Sequence, residues 1–325
     1  MGAAVRVHKV GGPEVLTYEQ IDVPAPAAGQ VRVKQHAIGV NFVDVYFRTG
    51  LYPAPGGLPF VAGNEAAGEV VDVGPDVSDL KRGDRVAYVQ GPGCYAEERN
   101  VPAERVVKLP ANISYEQAAG MMLKGLTAQY LLRRTFKVEK AMNVLMHAAA
   151  GGVGLILCQW AKHLGATVIG TVGSKEKAEL ARANGCDHTI LYRDEDFVAR
   201  VKEMTAGKLC DVVYDGIGKV TFPGSLDCIR PLGMFVSFGS ASGQIEAFNI
   251  NILQAKGSLF ATRPTLNTYA AKREDLLAMA ADLFAVVGSG AVKIPINQTY
   301  PLRDAAKAHR DLESRATTGS SILIP

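Results

Sequence analysis

Asn143-Val-Leu-Met-His-Ala-Ala-Ala-Gly151-Gly152-Val153-Gly154 is an apolar, strand-like run that stops at small residues. It passes at once into a helical pattern, Leu155 to Leu164. Strand, glycine turn and helix in that order are what a dinucleotide pyrophosphate requires. The chain must turn tightly, its backbone must come close to the phosphates, and a helix N-terminus must offer N–H groups and a positive dipole end. The spacing is Ala149-x-Gly151-x-x-Gly154, with alanine where the usual fingerprint has its first glycine. Taken alone, the pattern fits an ordinary strand-to-helix turn equally well, so its surroundings decide.

Those surroundings alternate strand and helix. Asn143–Ala148 and Val153–Leu164 are followed by a strand at Thr167–Val172 and a helix at Lys175–Asn184. A strand at His188–Tyr192 and a helix from Asp194 to Thr205 come next. Strands at Asp211–Asp215 and Met234–Gly239 flank a helix near Thr221–Ile229, and Ser258–Thr262 is a sixth strand. This rhythm predicts a doubly wound parallel sheet with helices on both faces and the glycine turn on its first strand. Residues 1 to about 110 read differently, as short strands such as Val31-Arg-Val-Lys-Gln-His broken by dense Gly and Pro, hence a β-rich, barrel-like domain. A helix spans Tyr115–Arg134. After Arg263-Pro264, a long helix (Arg273–Val287) and a final strand (Ser321–Ile324) are too short to form a domain and should return to the N-terminal part. The fold class is α/β, with residues 123–264 as the Rossmann cofactor domain and 1–122 with 265–325 as the β-rich catalytic domain.

Of the 325 residues, 48% are hydrophobic and 21% charged, and the net charge is +3. The basic residues are scattered, which argues against nucleic acid or a basic membrane face. There is no apolar signal core at the start and no apolar run of bilayer length, so a cytoplasmic location is expected. The five cysteines, at 94, 158, 186, 210 and 228, are an odd number and widely spaced. No Cys-x-x-Cys pair or zinc-spaced Cys/His cluster occurs, and reduced thiols are expected.

In NAD-preferring sheets an acidic residue ends the second strand and grips the ribose 2′-hydroxyl. Here the strand ends Gly170-Thr-Val-Gly173-Ser174-Lys175-Glu176-Lys177. Ser174 and Lys177 can donate to a 2′-phosphate, which favours NADPH, although Glu176 is able to turn inward. The same charges also fit the solvated first turn of a helix. Tyr192 ends the third strand, either near the adenosine or as a core-edge residue. Gly239, between Phe238 and Ser240, lets backbone approach the nicotinamide half of the cofactor; Thr262-Arg263-Pro264 ends the next strand.

Together these residues resemble the medium-chain dehydrogenase/reductase superfamily, and within it the zinc-free quinone oxidoreductases related to zeta-crystallin. The likeness covers nearly the whole chain. It is carried by Gly39-Val-Asn41-Phe-Val-Asp44-Val-Tyr46-Phe-Arg48-Thr-Gly-Leu-Tyr52-Pro53, Gly63-Asn64-Glu65-Ala-Ala-Gly68 and Leu123-Lys124-Gly125-Leu126-Thr127-Ala128. Ala148–Gly154 with Gln159 and Lys162, and Ser314-Arg315-Ala316-Thr317, complete it. The superfamily's zinc alcohol dehydrogenases carry Cys at the place of Asn41 and His at that of Asn64, and have a structural-zinc lobe that is missing here. Asn is a poor zinc ligand, so metal-free reduction is implied and no metal site is expected; Asp44 and Glu65 read as structural. The resemblance implies a GroES-like catalytic domain, a homodimer, and cofactor contacts at Asn41, Thr127, Gly152, Val153, Gly173, Ser174, Lys177, Tyr192, Phe238, Gly239, Ser240, Arg263 and Arg315. Arg315 is either a phosphate contact or a plain surface arginine.

A quinone is already electrophilic, so hydride can pass to it from a nicotinamide without a Lewis acid. The protein must supply a dry cleft, a stacking surface and hydrogen-bond donors to the oxygen that becomes negative. Asn41, Tyr46 and Tyr52 belong to the segment expected to line that cleft and are the candidate catalytic residues. Each tyrosine either donates there or simply packs. Two rival readings are an NADPH-dependent reductase of activated C=C bonds in enones or 2-alkenals, and a non-catalytic NADPH- or RNA-binding protein. The modest charge argues against RNA.

Overall fold

In the computed structural model, which describes residues 2–325, the N-terminal region is rich in strands, as expected, and β3 contains the run read from Val31: β1 (Gly2–Val7), β2 (Leu16–Ile21), β3 (Gln30–Val40), β4 (Phe60–Val61), β5 (Glu65–Val73), β6 (Arg85–Val89), β7 (Glu98–Pro102) and β8 (Val106–Lys108). β1 is paired antiparallel with β2 on one side and β4 on the other. β3 organises a second sheet, pairing antiparallel with β5 and β7, while β6 and β8 extend it beyond β5. Alternation sets the faces of β3: Val31 and Val33 are buried, Arg32 and Lys34 are not. The buried Gln35 on the same face donates to the Cys94 carbonyl and accepts from the Tyr88 hydroxyl, so its amide carries no desolvation debt.

One helix departs from the strand reading of this region. α1 (Phe42–Thr49) starts at Asn41, whose extended backbone (φ −139°, ψ 155°) makes it the N-cap. The Asp44 carboxylate reaches back to accept the Asn41 N–H at 2.8 Å, and Gly50 closes the helix in the left-handed region at φ 79°. Asn, a carboxylate three residues on, and a closing glycine form a start-and-stop signal inside otherwise strand-like sequence.

α2 (Tyr115–Tyr130) leads through a π-helical turn at 131–135 into β9 (Asn143–His147), α3 (Gly152–His163), β10 (Thr167–Val172), α4 (Lys175–Ala183), β11 (His188–Leu191) and α5 (Phe197–Met204). β12 (Cys210–Asp215), α6 (Phe222–Asp227), β13 (Ile229–Ser237), α7 (Asn251–Ala255), β14 (Phe260–Thr262) and α8 (Leu266–Tyr269) follow. The six strands form one sheet in the order β11-β10-β9-β12-β13-β14, with every neighbour parallel. Strand order reverses between β9 and β12, and the glycine turn follows β9 at that switch point, where open α/β sheets take their ligands. The turn is tight. Ala148 sits at φ 56°, and a Cβ on Gly154 would lie 2.4 Å from the Ala148 carbonyl oxygen. Only glycine lets α3 come this close to the strand that feeds it.

The tail consists of α9 (Arg273–Gly288), β15 (Ile296–Pro301), α10 (Ala305–Glu313) and β16 (Ser320–Ile324). It joins the sheet of β3: β16 pairs antiparallel with β3, and β15 lies parallel outside β16. The chain divides into two compact units, Met1–Leu126 with Lys272–Gly288 and Ile294–Pro325, and Thr127–Ala271 with Ser289–Lys293. From the sequence the boundaries fall at 122/123 and 264/265. The first lies inside the continuous helix α2, and the detour at 289–293 has a local cause. The Gln159 side chain of α3 donates to the Lys293 carbonyl at 2.9 Å and accepts the Lys293 N–H at 2.8 Å, as a neighbouring strand would. Among the described residues no helix is long and apolar enough to cross a membrane.

Gly154→Ala should cost about 1–3 kcal/mol, because the added methyl meets backbone that has no room to relax. A melting temperature within 1 °C of the parent would contradict the turn geometry.

Candidate functional site

In the second unit the residues singled out from the sequence gather at the carboxyl edge of the parallel sheet. Gly152 and Val153 open α3, whose N-cap Gly151 makes no side-chain capping bond and whose first turn carries no acid. Its leading N–H groups thus carry the positive end of the helix dipole with no acid in their own turn to answer it. Gly173 follows β10, and a Cβ there would lie 3.0 Å from the Tyr192 hydroxyl, so glycine leaves the tyrosine its place. Ser174 caps α4, accepting the Lys177 N–H at 3.3 Å. Glu176 is hydrogen-bonded to the Ser174 side chain, which holds its carboxyl below the usual value. The acid therefore turns toward the serine, and a phosphate on Ser174 would have to displace it. Glu176 is exposed, so the swing is open to it.

Phe238, Gly239 and Ser240 follow β13, and Arg263 follows β14. The Arg263 guanidinium donates to the Ser237 hydroxyl (2.9 Å), the Gly239 carbonyl (2.7 Å) and the Ser240 hydroxyl (3.1 Å), clamping this strand end. A Cβ on Gly239 would fall 2.5 Å from the Gly216 carbonyl oxygen. Thr127, on α2, is buried.

Beneath this edge runs a buried polar chain that has no sequence motif. The Asp215 carboxylate accepts the N–H groups of Ile217 and Gly218 and the hydroxyls of Thr221 (2.7 Å) and Ser225 (3.2 Å). The Ser225 hydroxyl lies 3.0 Å from His147 Nε2, and His147 Nδ1 lies 2.9 Å from the Thr171 hydroxyl. Burial holds the imidazole below its usual pKa, hence neutral. One chain thus ties together the ends of β9, β10 and β12.

The first unit holds Asn41, Tyr46, Tyr52 and Arg315. Asn41 Nδ2 donates to Glu65 Oε1 at 2.7 Å. Glu65 is fully buried, and it also accepts from Lys124 Nζ (3.0 Å) and the Leu123 N–H (2.6 Å). Asn64 Nδ2 donates to Asp44 Oδ1, while Asp44 Oδ2 takes the Asn41 N–H and the Tyr95 hydroxyl. Burial pushes Asp44 up to about 6 against these three donors. Tyr46, on α1, packs edge-on against Tyr52 with ring centroids 5.2 Å apart, and the Tyr52 N–H bonds the Tyr46 carbonyl. Arg315 is exposed in the loop before β16 with φ 60°.

At the positions of the superfamily's zinc ligands there are thus two amides, each donating to a buried carboxylate. Among the described residues no three His, Cys, Asp or Glu side chains are grouped as a metal site. Amide nitrogens committed to carboxylates offer no soft ligand, and these residues do not fit a zinc ion.

A GroES-like β unit and a doubly wound unit on one chain define a medium-chain dehydrogenase/reductase. Residues 27–111 match the family model described as alcohol dehydrogenase GroES-like domain, and residues 152–281 that described as zinc-binding dehydrogenase. The chain is 52% identical to a quinone oxidoreductase of Pseudomonas aeruginosa over 100% of both chains. It is 48% identical to a 2-haloacrylate reductase of a Burkholderia species, over 100% of this chain and 99% of that one. The crystal structure of Escherichia coli quinone oxidoreductase complexed with NADPH matches at a TM-score of 0.97 and 50% identity, covering 99% of this chain and 100% of that one. Within its superfamily the chain belongs to the quinone oxidoreductase family.

His147, Asp215, Ser225, Lys124, Tyr95 and His309 were not singled out as site residues from the sequence. Of these, His147 stood in the strand that opens the glycine turn and Lys124 in a quoted motif, but neither was given a role. Lys124→Met should destabilise the protein by about 3–5 kcal/mol, since it leaves Glu65 buried without its cation. Adding Glu65→Gln should return part of that in chemical denaturation. An exposed-pair value below about 1 kcal/mol for Lys124→Met would show the pair to be solvated.

Proposed function

We propose that this protein reduces quinones with NADPH, the nicotinamide passing hydride directly to the quinone without a metal. The observation that carries this reading is the pair of amides, Asn41 and Asn64, committed to Glu65 and Asp44 where zinc-dependent relatives place ligands. The unit of Thr127–Ala271 is the cofactor domain and the other the catalytic domain. In this reading the N-terminus of α3 with Gly152 and Val153 receives the pyrophosphate. Ser174, Lys177 and Tyr192 hold the 2′-phosphate end, with Glu176 swung out. Phe238, Gly239, Ser240 and Arg263 shape the nicotinamide end, and Asn41, Thr127 and Arg315 complete the contacts. Asn41, Tyr46 and Tyr52 supply donors to the quinone oxygen that gains charge. Solvent can protonate a hydroquinone anion, so no obligatory acid is required. The test is NADPH oxidation against a panel of quinones and enones, repeated with NADH; turnover of enones alone would overturn the quinone reading. Reduction of an activated C=C bond is the second reading, favoured by the likeness to the 2-haloacrylate reductase.

Lys177→Ala should raise KM for NADPH about tenfold, one charge-assisted contact, and leave that for NADH unchanged. Equal effects on both cofactors would remove Lys177 from the phosphate site.

A homodimer and a cytoplasmic location belong to the same proposal. β14 is the edge of the parallel sheet, and Phe260 on it is 57% exposed, with Leu232 and Ile250 also exposed. An uncovered apolar edge is open to a second copy. All five cysteines are free, as suits a reducing compartment. Phe260→Asp should shift the sedimentation profile to monomer at micromolar concentration; an unchanged dimer would place the interface elsewhere.

A further inference from the structure

Asp44 lies at the end of a buried chain of hydrogen bonds whose direction is forced. Its far end is Arg48, 1% exposed, which pairs bidentately with the partly exposed Glu313 of α10 at 2.7 and 2.8 Å. Arg48 also points NH1 at His309 Nδ1, 3.1 Å away. A guanidinium has no acceptor, so His309 Nδ1 must be bare and its proton must sit on Nε2. Nε2 lies 3.0 Å from the Tyr95 hydroxyl oxygen. That oxygen accepts from the histidine, which leaves the Tyr95 proton for Asp44 Oδ2 at 2.9 Å. Every bond in the chain thus runs toward Asp44, and Asp44 in turn holds the Asn41 N–H and the Asn64 amide.

The charges agree with that direction. Two cations, Arg48 and Lys124, face three carboxylates, Asp44, Glu65 and Glu313, which leaves one negative charge in excess. The groups facing Asp44 are the Asn41 N–H on its own helix, Asn64 and Glu65 at the start of β5, and Tyr95 with the neighbouring Cys94 thiol; His309 of α10 stands behind Tyr95. None of them brings a positive charge to it. Its ionised form therefore depends on directed donors, and the hydroxyl of Tyr95 is the one set from a distance. Burial and Arg48 hold His309 down to about 3, so the ring stays neutral across the working range.

We propose that Tyr95 and His309 are positioning residues of the reduction: by aiming the Tyr95 hydroxyl at Asp44 they keep that carboxylate an acceptor, and the carboxylate holds Asn41 at the first turn of α1. This rests on the reading of Asn41 as a donor to substrate. His309 does its part through one tautomer, which an amide can imitate. In His309→Gln, Oε1 can accept from Arg48 and Nε2 can donate to Tyr95; in His309→Met neither is possible. Protonating Asp44 turns one of its oxygens into a donor and discharges the other, which weakens the acceptor shared by Tyr95, Asn41 and Asn64, so activity should fall as pH drops through its pKa.

The test follows kcat/KM for quinone with NADPH from pH 5 to 9 in the parent, Tyr95→Phe, His309→Met and His309→Gln. A carboxyl-carbon NMR titration, assigned with Asp44→Asn, is run on the same proteins. The parent should show an acid limb that coincides with the Asp44 titration. Tyr95→Phe and His309→Met lose a donor to the ionised form and should move both to higher pH by half a unit or more; His309→Gln should return them. A limb that stays in place in Tyr95→Phe, or a uniform loss at every pH with the limb unmoved, overturns the proposal. If His309→Met does not fold, Tyr95→Phe and the amide variant decide it. Absence of quinone turnover in the parent would sink the functional reading instead, and the Asp44 titration would still report whether Tyr95 and His309 hold the carboxylate.

Discussion

Two carboxylates with no access to water, Asp44 and Glu65, govern the first unit. A buried carboxylate survives only where donors converge on it. Asn41 gives its backbone N–H to one and its amide to the other, so this residue joins the two. Glu65 adds Lys124 and the Leu123 N–H from α2; Asp44 adds Asn64 and Tyr95. Much of the chain's path follows from this. The tail returns to the N-terminal strands, adding β16 to β3, and α10 brings His309 and Glu313 to Arg48 across 261 and 265 residues of sequence. A discontinuous domain is what lets distant chain supply those partners.

The second unit solves a related problem with backbone. A parallel sheet ends in loops whose N–H and C=O groups point outward, and a dinucleotide demands that they stay where they are. Asp215 holds the loop after β12 through two N–H groups and two hydroxyls, and Arg263 holds the end of β13 through a carbonyl and two hydroxyls. His147 ties the first two strand ends to that set. Glycines at 154, 173 and 239 clear the room that these approaches need.

The order of strands and helices in the second unit was legible because burial on a sheet or a helix imposes a short repeat. The strand at Thr167–Val172 was read to the residue. Helix α1 was not: eight residues among strands carry too little periodicity, and the Asn41–Asp44 cap that starts it was read for chemistry instead. The domain limits were blurred because α2 runs on through Leu126 without any break in pattern. Residues gathered at one sheet edge, from Gly152 to Arg263, were found because strand ends are marked by small residues. Tyr95, His309, His147 and Asp215 carry no such mark. Each looks like an ordinary core or loop residue until its partner, 10 to 214 residues away, is known.

The sequence by itself determined the α/β class, the strand, glycine turn and helix of residues 143–164, and the two amides at 41 and 64. Each of these rests on local spacing or on the identity of single residues. Only the tertiary structure decided that Asp44 and Glu65 are enclosed, that Glu176 rests on Ser174, and which nitrogen of His309 carries its proton. Those are questions of protonation and hydrogen-bond direction. They depend on burial and on which donors meet, and distant segments settle both only when they pack together.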